Sequence, residues 1–125
     1  MTAEEFRRIA LSFPDSEESS HHGHADFRVH GKVFATLGYP DAGWAMVKLT
    51  PAQQARFVDG HSDCIQCVKG AWGRRGATNL NLFASTAPLA RRCLVLAHRN
   101  AQLARPPVRK STEPSQARSP RRRAS

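Results

Sequence analysis

The chain has 125 residues, of which 40% are hydrophobic and 23% charged, a composition typical of one globular domain and unlike that of a wholly disordered protein. It lacks an apolar stretch of the roughly 18 residues that a transmembrane helix needs. The net charge of +9 is uneven, since residues 1–100 carry 12 Lys/Arg and 9 Asp/Glu, whereas residues 101–125 carry 7 and 1. This excess favours anionic partners such as nucleic acid.

The N-terminal residues predict an amphipathic helix. Thr2 and Glu5 have the spacing of a capping box, and Phe6 begins a set of apolar residues on one helical face. Pro14 ends the helix, because the residue before a proline avoids the α region. We therefore predict a helix over residues 3–12.

The middle of the chain predicts an antiparallel meander. Apolar residues alternate with other residues over 27–29 and 33–37, with a tight turn at Gly31 between them. A second turn around Gly43 leads into a strand at 44–49. These connections are too short for parallel crossovers. The remaining predicted elements are a helix at 51–60, strands at 64–68 and 78–82 separated by a glycine-rich basic loop at 69–76, and a helix at 88–100.

This order of elements predicts an α+β fold, a two-layer sandwich in which helices pack on one face of an antiparallel sheet. We assign residues 1–100 to the domain. Residues 101–125 are rich in Pro, Ser and Arg and have few apolar side chains. Such a segment cannot bury enough surface to offset its ordering entropy, so we predict a disordered basic tail.

Three segments carry a resemblance to a known family. They read G-H-A-D-F-R-V at 23–29, M-V-K-L-T-P at 46–51 and G-A-W-G-R-R-G-A-T at 70–78. In this order they resemble the MmcQ/YjbR family of small bacterial proteins, over residues 1–100. The resemblance implies a CyaY-like (frataxin-like) fold and a DNA-binding function, and it carries over no catalytic residues.

The basic loop is the first candidate site. Its Lys69, Arg74 and Arg75 can contact phosphates, and Trp72 can stack on a base. The alternative is that Trp72 packs over the sheet edge and the arginines are only solvated; we favour this alternative for Trp72 and leave both interpretations open for the arginines. The glycines lack the Gly-Lys-Ser/Thr ending of a nucleotide-binding loop.

A histidine cluster is the second candidate. His22 and His24 would share one face of an extended strand, and with His21 they could begin a zinc site completed by His30 or Asp26. We favour the alternative of a polar strand edge without metal, because such a site needs three or four converging ligands. We therefore predict no metal and no cofactor.

The cysteines do not predict a site. Cys64 and Cys67 would point to opposite faces of a strand, and Cys93 lies on an apolar helical face. Because the N-terminal residues do not resemble a secretory signal, we expect reduced thiols and a cytoplasmic location.

The tail is a further candidate, since Arg121, Arg122 and Arg123 can contact phosphates without reading bases. A solvated extension is the alternative. Membrane attachment is disfavoured because no apolar anchor accompanies these charges.

Together the patterns favour a non-enzymatic DNA-binding protein that contacts phosphates through the basic loop and the tail; no pattern bears on its oligomeric state, and a monomer is the default. The alternatives are a small-ligand or metal-binding domain and a protein-interaction domain that does not bind nucleic acid. Spacing alone identifies no nucleophile–base pair or paired carboxylates.

Overall fold

The computed structural model describes residues 1–104, which form four helices and one six-stranded sheet. The elements are α1 (Ala3–Leu11), β1 (Ser16–His21), β2 (His24–Val29), β3 (Lys32–Leu37), β4 (Trp44–Lys48), α2 (Pro51–Gly60), β5 (Ile65–Cys67), α3 (Ala71–Arg74), β6 (Ala77–Asn81) and α4 (Ala87–Leu103). All pairings are antiparallel, in the spatial order β1-β2-β3-β4-β6-β5. The predicted α+β class is confirmed.

Side-chain caps fix where the three longer helices begin. Thr2 at α1 and Thr50 at α2 each accept a hydrogen bond from a backbone N–H in the first turn, and Glu5 and Gln53 complete the two capping boxes. Thr86 caps α4 in the same way. Each such cap stabilises its helix by about 1 kcal/mol, so these starts are specified locally by the sequence.

The predicted meander is present as β2, β3 and β4, and β1 extends it by one strand at the edge. Two-residue turns join β1 to β2 and β2 to β3, and all four turn residues have positive φ: His22, Gly23, His30 and Gly31. This backbone matches the twist of the flanking strands. The strands are therefore held in register by their turns.

The core lies between one face of the sheet and the helices α1, α2 and α4. The rings of Phe6 and Phe27 meet edge to face at 6.2 Å, and both side chains are fully buried. Burying a side chain of this size contributes about 1.5–3 kcal/mol. Buried His98 donates from Nε2 to the Pro14 carbonyl at 2.8 Å and contacts Phe34, so its polar atom is satisfied.

Three elements differ from their predicted form. β1 was not predicted, because Ser-Glu-Glu-Ser-Ser-His has no apolar alternation. The prediction of an unstructured loop at residues 69–76 is wrong, since residues 71–74 form the short helix α3. The final helix α4 continues to Leu103, three residues beyond its predicted end.

The predicted tail lies almost wholly outside the described residues, including Arg121, Arg122 and Arg123. Within residues 1–104, none of the helices has both the length and the apolar character required to cross a membrane.

Candidate nucleic-acid interface

The sheet leaves its other face, here called the open face, uncovered by α1, α2 and α4. Strand registers align one row of residues across it, running from Ser19 through Asp26, Thr36 and Met46 to Asn79. Because side chains alternate along a strand, this row points away from the helices that pack on Ala35, Val47 and Leu80. The open face is therefore the surface on which chemistry can converge.

A cavity of about 540 Å³ lies on the open face. Its walls combine two aromatic rings, two cationic side chains and three imidazoles: Tyr39, Trp72, Arg28, Lys48, His21, His22 and His24. Val33, Thr36 and Met46 complete the lining. This volume falls in the range of ligand pockets, which are commonly 300–1,000 Å³.

A buried carboxylate positions one end of the cavity wall. Asp26 is fully buried and accepts hydrogen bonds from Arg28 Nε at 2.8 Å and Nη2 at 3.0 Å, and it also contacts His21 Nδ1. The hydrogen bonds from Arg28, followed by that from His21, hold the pKa of Asp26 below its ordinary value. Asp26 therefore stays ionised and fixes the side chains of Arg28 and His21 at the cavity wall.

Two buried polar atoms on the open face lack hydrogen-bond partners. The Oγ1 atom of buried Thr36 and the Oδ1 atom of buried Asn79 have no hydrogen-bond partner within the described residues. Such atoms are uncommon inside folded proteins, where most buried polar groups are paired. They mark the open face as polar beneath its aromatic rim.

The short helix α3 brings Trp72 to the wall of the cavity, and the other three predicted loop residues are exposed near it in the chain. We call Lys69, Trp72, Arg74 and Arg75 the α3 surface. All four are exposed, and Trp72 retains 51% of its accessible area, with its ring 6.5 Å from that of Tyr39. The prediction that Trp72 packs closely over the sheet edge is therefore only partly met, since half of the indole is free.

Two close backbone contacts hold α3 in place. A Cβ on Gly73 would lie 1.5 Å from the Val68 carbonyl oxygen, so only glycine allows this approach. The buried side-chain amide of Gln54 donates from Nε2 to the carbonyls of Gly73 and Ala77, both at 2.9 Å. The α3 surface is thus anchored to α2 and β6.

A smaller cavity of about 170 Å³ adjoins the first. Lys48 and Trp72 line both cavities, and Arg75 lines the smaller one. Partial burial lowers the pKa of Lys48, and the nearby charge of Lys32 adds to this effect. The two cavities share Lys48 and Trp72 and so form one groove, lined by three cationic side chains: Arg28, Lys48 and Arg75.

The structure rearranges the histidine cluster. His22 lies in the β1–β2 turn and not on a strand, so the prediction that it shares a strand face with His24 is wrong. His21 and His24 are instead the cross-strand pair. Within residues 1–104, no group of three or more His, Cys, Asp or Glu side chains could hold a metal ion.

The two neighbouring cysteines differ in exposure. Cys64 is buried and immediately precedes the short strand β5, whereas Cys67 is exposed at the end of that strand. Burial raises the pKa of the Cys93 thiol to about 12.

A second basic cavity, of about 540 Å³, lies on the helical layer between α2 and α4. Arg56, Arg91 and Arg92 line it, and the guanidinium of Arg92 lies 5.4 Å from the ring centroid of Phe57. This cavity was not predicted from the sequence, although Arg91 and Arg92 stand next to each other on a predicted helix.

The comparisons with known proteins concern the whole domain. The YjbR family model matches residues 11–93. The chain belongs to the YjbR family. No curated protein matches it.

Among solved structures, this YjbR-family chain is similar to the crystal structure of the Deinococcus radiodurans protein DR2400, described as carrying the domain DUF419. The TM-score is 0.60 at 16% sequence identity, over 74% of this chain and 72% of that one. At this identity the likeness shows the fold alone. The more specific CyaY-like prediction stays a prediction.

Proposed function

We propose that the protein is a non-enzymatic DNA-binding module that contacts phosphates through the α3 surface. The observation that carries this proposal is the half-exposed Trp72 set among Lys69, Arg74 and Arg75. These three cations form no ion pair with any other described residue. Unpaired cations beside an exposed indole fit a ligand that offers both phosphates and bases.

The basic groove on the helical layer is the competing surface. Its Arg92 is engaged with the ring of Phe57, and the two aromatic rings that line this cavity, Phe57 and His61, stack on each other, whereas Trp72 is half exposed. A cation held over a ring loses part of its availability to a phosphate. The α3 surface is therefore the better candidate, and the two arginine pairs make a matched comparison.

The test is a DNA titration with the full chain, followed by fluorescence anisotropy of a labelled duplex of about 20 base pairs. Two double variants remove the same charge from opposite layers: Arg74→Ala/Arg75→Ala and Arg91→Ala/Arg92→Ala. We expect the first to weaken binding roughly tenfold at low salt and the second to have little effect, because phosphate contacts dominate affinity. Equal losses, or a larger loss in the second variant, would contradict the proposal.

A third variant separates the domain from the tail, since Arg121→Ala/Arg122→Ala/Arg123→Ala removes tail charge while leaving the α3 surface unchanged. We expect a smaller, additive loss of affinity. If this variant alone abolished binding, the domain would not be the DNA-contacting part. Absence of any binding of duplex or single-stranded DNA by the unaltered chain at low salt would reject the DNA-binding function altogether.

A further inference from the structure

We infer that the open-face cavity accepts one unpaired base, so that the protein prefers single-stranded nucleic acid to duplex. This inference rests on the proposed function and names the form of nucleic acid that the same surface takes. It is carried by the groove that joins Trp72, Tyr39, Lys48 and Arg75.

The aromatic part of the groove suits a base. The indole of Trp72 is 51% exposed, and it is tilted by 53° to the ring of Tyr39 and not stacked face to face on it. Trp72 also lines both cavities, so part of its surface borders them. Bases of any sequence stack on such a surface, because every base has a π-face.

The cationic part of the groove suits the attached phosphate. Lys48 lines both cavities and Arg75 lines the smaller one, so positively charged side chains lie next to the indole of Trp72 along the groove. A nucleotide with its base on Trp72 would have its phosphate within the reach of these side chains. Aromatic stacking beside a cationic track is the arrangement that single-strand binders use.

Duplex DNA does not offer this combination. Its bases are already stacked and paired, and extracting one costs a few kcal/mol. A cavity of about 540 Å³ has room for one nucleotide and not for a base pair with its flanking backbones. Duplex would therefore contact only the exposed cations of the α3 surface, whereas a single strand would gain the stacking contact as well.

The experiment compares a labelled oligothymidylate of about 12 nucleotides with a duplex of the same length, using the full chain and fluorescence anisotropy. The variant is Trp72→Ala, and the matched control is Phe83→Ala, because Phe83 is 91% exposed and lines none of these cavities. We expect Trp72→Ala to weaken single-strand binding roughly 5- to 140-fold and to leave duplex binding within about twofold. Trp72→Phe should restore part of the loss, which separates stacking from a defect in folding.

Equal affinity for single-stranded and duplex DNA, or an equal loss of affinity for both in Trp72→Ala, would overturn the inference. The DNA-binding proposal would then still be tested separately by the arginine variants. An equal loss in Phe83→Ala would also overturn the inference. A titration with thymidine monophosphate tests whether the cavity recognises a strand or only a free nucleotide. Binding of the mononucleotide with the same affinity as the oligonucleotide would overturn the single-strand assignment. No binding of either form of DNA would reject the inference together with the proposed function.

Discussion

The anchoring of α3 by Gln54 makes a quantitative prediction. Its amide donates to the carbonyls of Gly73 and Ala77, but Gly73 O also accepts from the N–H of Gly76, and Ala77 O from that of Val68. In Gln54→Met both carbonyls therefore keep one partner, and the side chain keeps nearly its length. The loss is two net hydrogen bonds without a desolvation penalty, about 2 kcal/mol.

The assay is urea unfolding followed by circular dichroism, with thermal melting as a second measurement. For a domain of this size about 2 kcal/mol corresponds to a fall in Tm of roughly 8–16 °C. The control is Gln102→Met, at an exposed position of α4, which should change the free energy of unfolding by less than about 0.5 kcal/mol. If Gln54→Met matched this control, the amide would not be what holds α3 to the domain.

Three further outcomes are expected. Gly73→Ala should lower the free energy of unfolding by more than about 3 kcal/mol in urea titrations, because its Cβ would overlap a backbone oxygen, whereas Gly60→Ala, which meets nothing within 4 Å, should be nearly neutral. In folded protein, mass spectrometry should find that iodoacetamide modifies exposed Cys67 and spares Cys93, whose pKa is raised to about 12. Hydrogen bonding to Arg28 holds the pKa of Asp26 below its ordinary value, so the contribution of ionised Asp26 to stability is present above about pH 4 and lost on acidification. The difference in free energy of unfolding between the unaltered protein and Asp26→Asn should therefore shrink below that pH. A difference that stayed the same at lower pH would contradict the assignment of this stability to ionised Asp26.

The sequence patterns succeeded where a signal is local. The capping residues Thr2 and Thr50 and the turn at Gly31 specify their elements through contacts within a few residues, so the helices and the meander were predictable. β1 was missed because it is an edge strand whose residues are mostly exposed on both faces, so its sequence does not alternate between apolar and polar residues. α3 was missed because a four-residue helix is too short to show a period.

The candidate site was predictable only in part. Lys69, Trp72, Arg74 and Arg75 were found because they are close together in the chain, and the structure places Trp72 and Arg75 at the cavities. The other cavity residues, Arg28, Tyr39 and Lys48, come from separate elements. Their convergence depends on strand register and on the close approach at Gly73, which no spacing in the sequence reveals.

The central claim is that the α3 surface contacts phosphates, and the salt dependence of single-strand affinity tests it most directly. For the full chain, the slope of log K against log salt concentration counts the phosphates neutralised, at about 0.7 per contact on a single strand. The account predicts that Arg74→Ala/Arg75→Ala makes this slope shallower by about 1.4, whereas Arg91→Ala/Arg92→Ala leaves it unchanged. An unchanged slope in the first variant, at whatever affinity, would contradict the account.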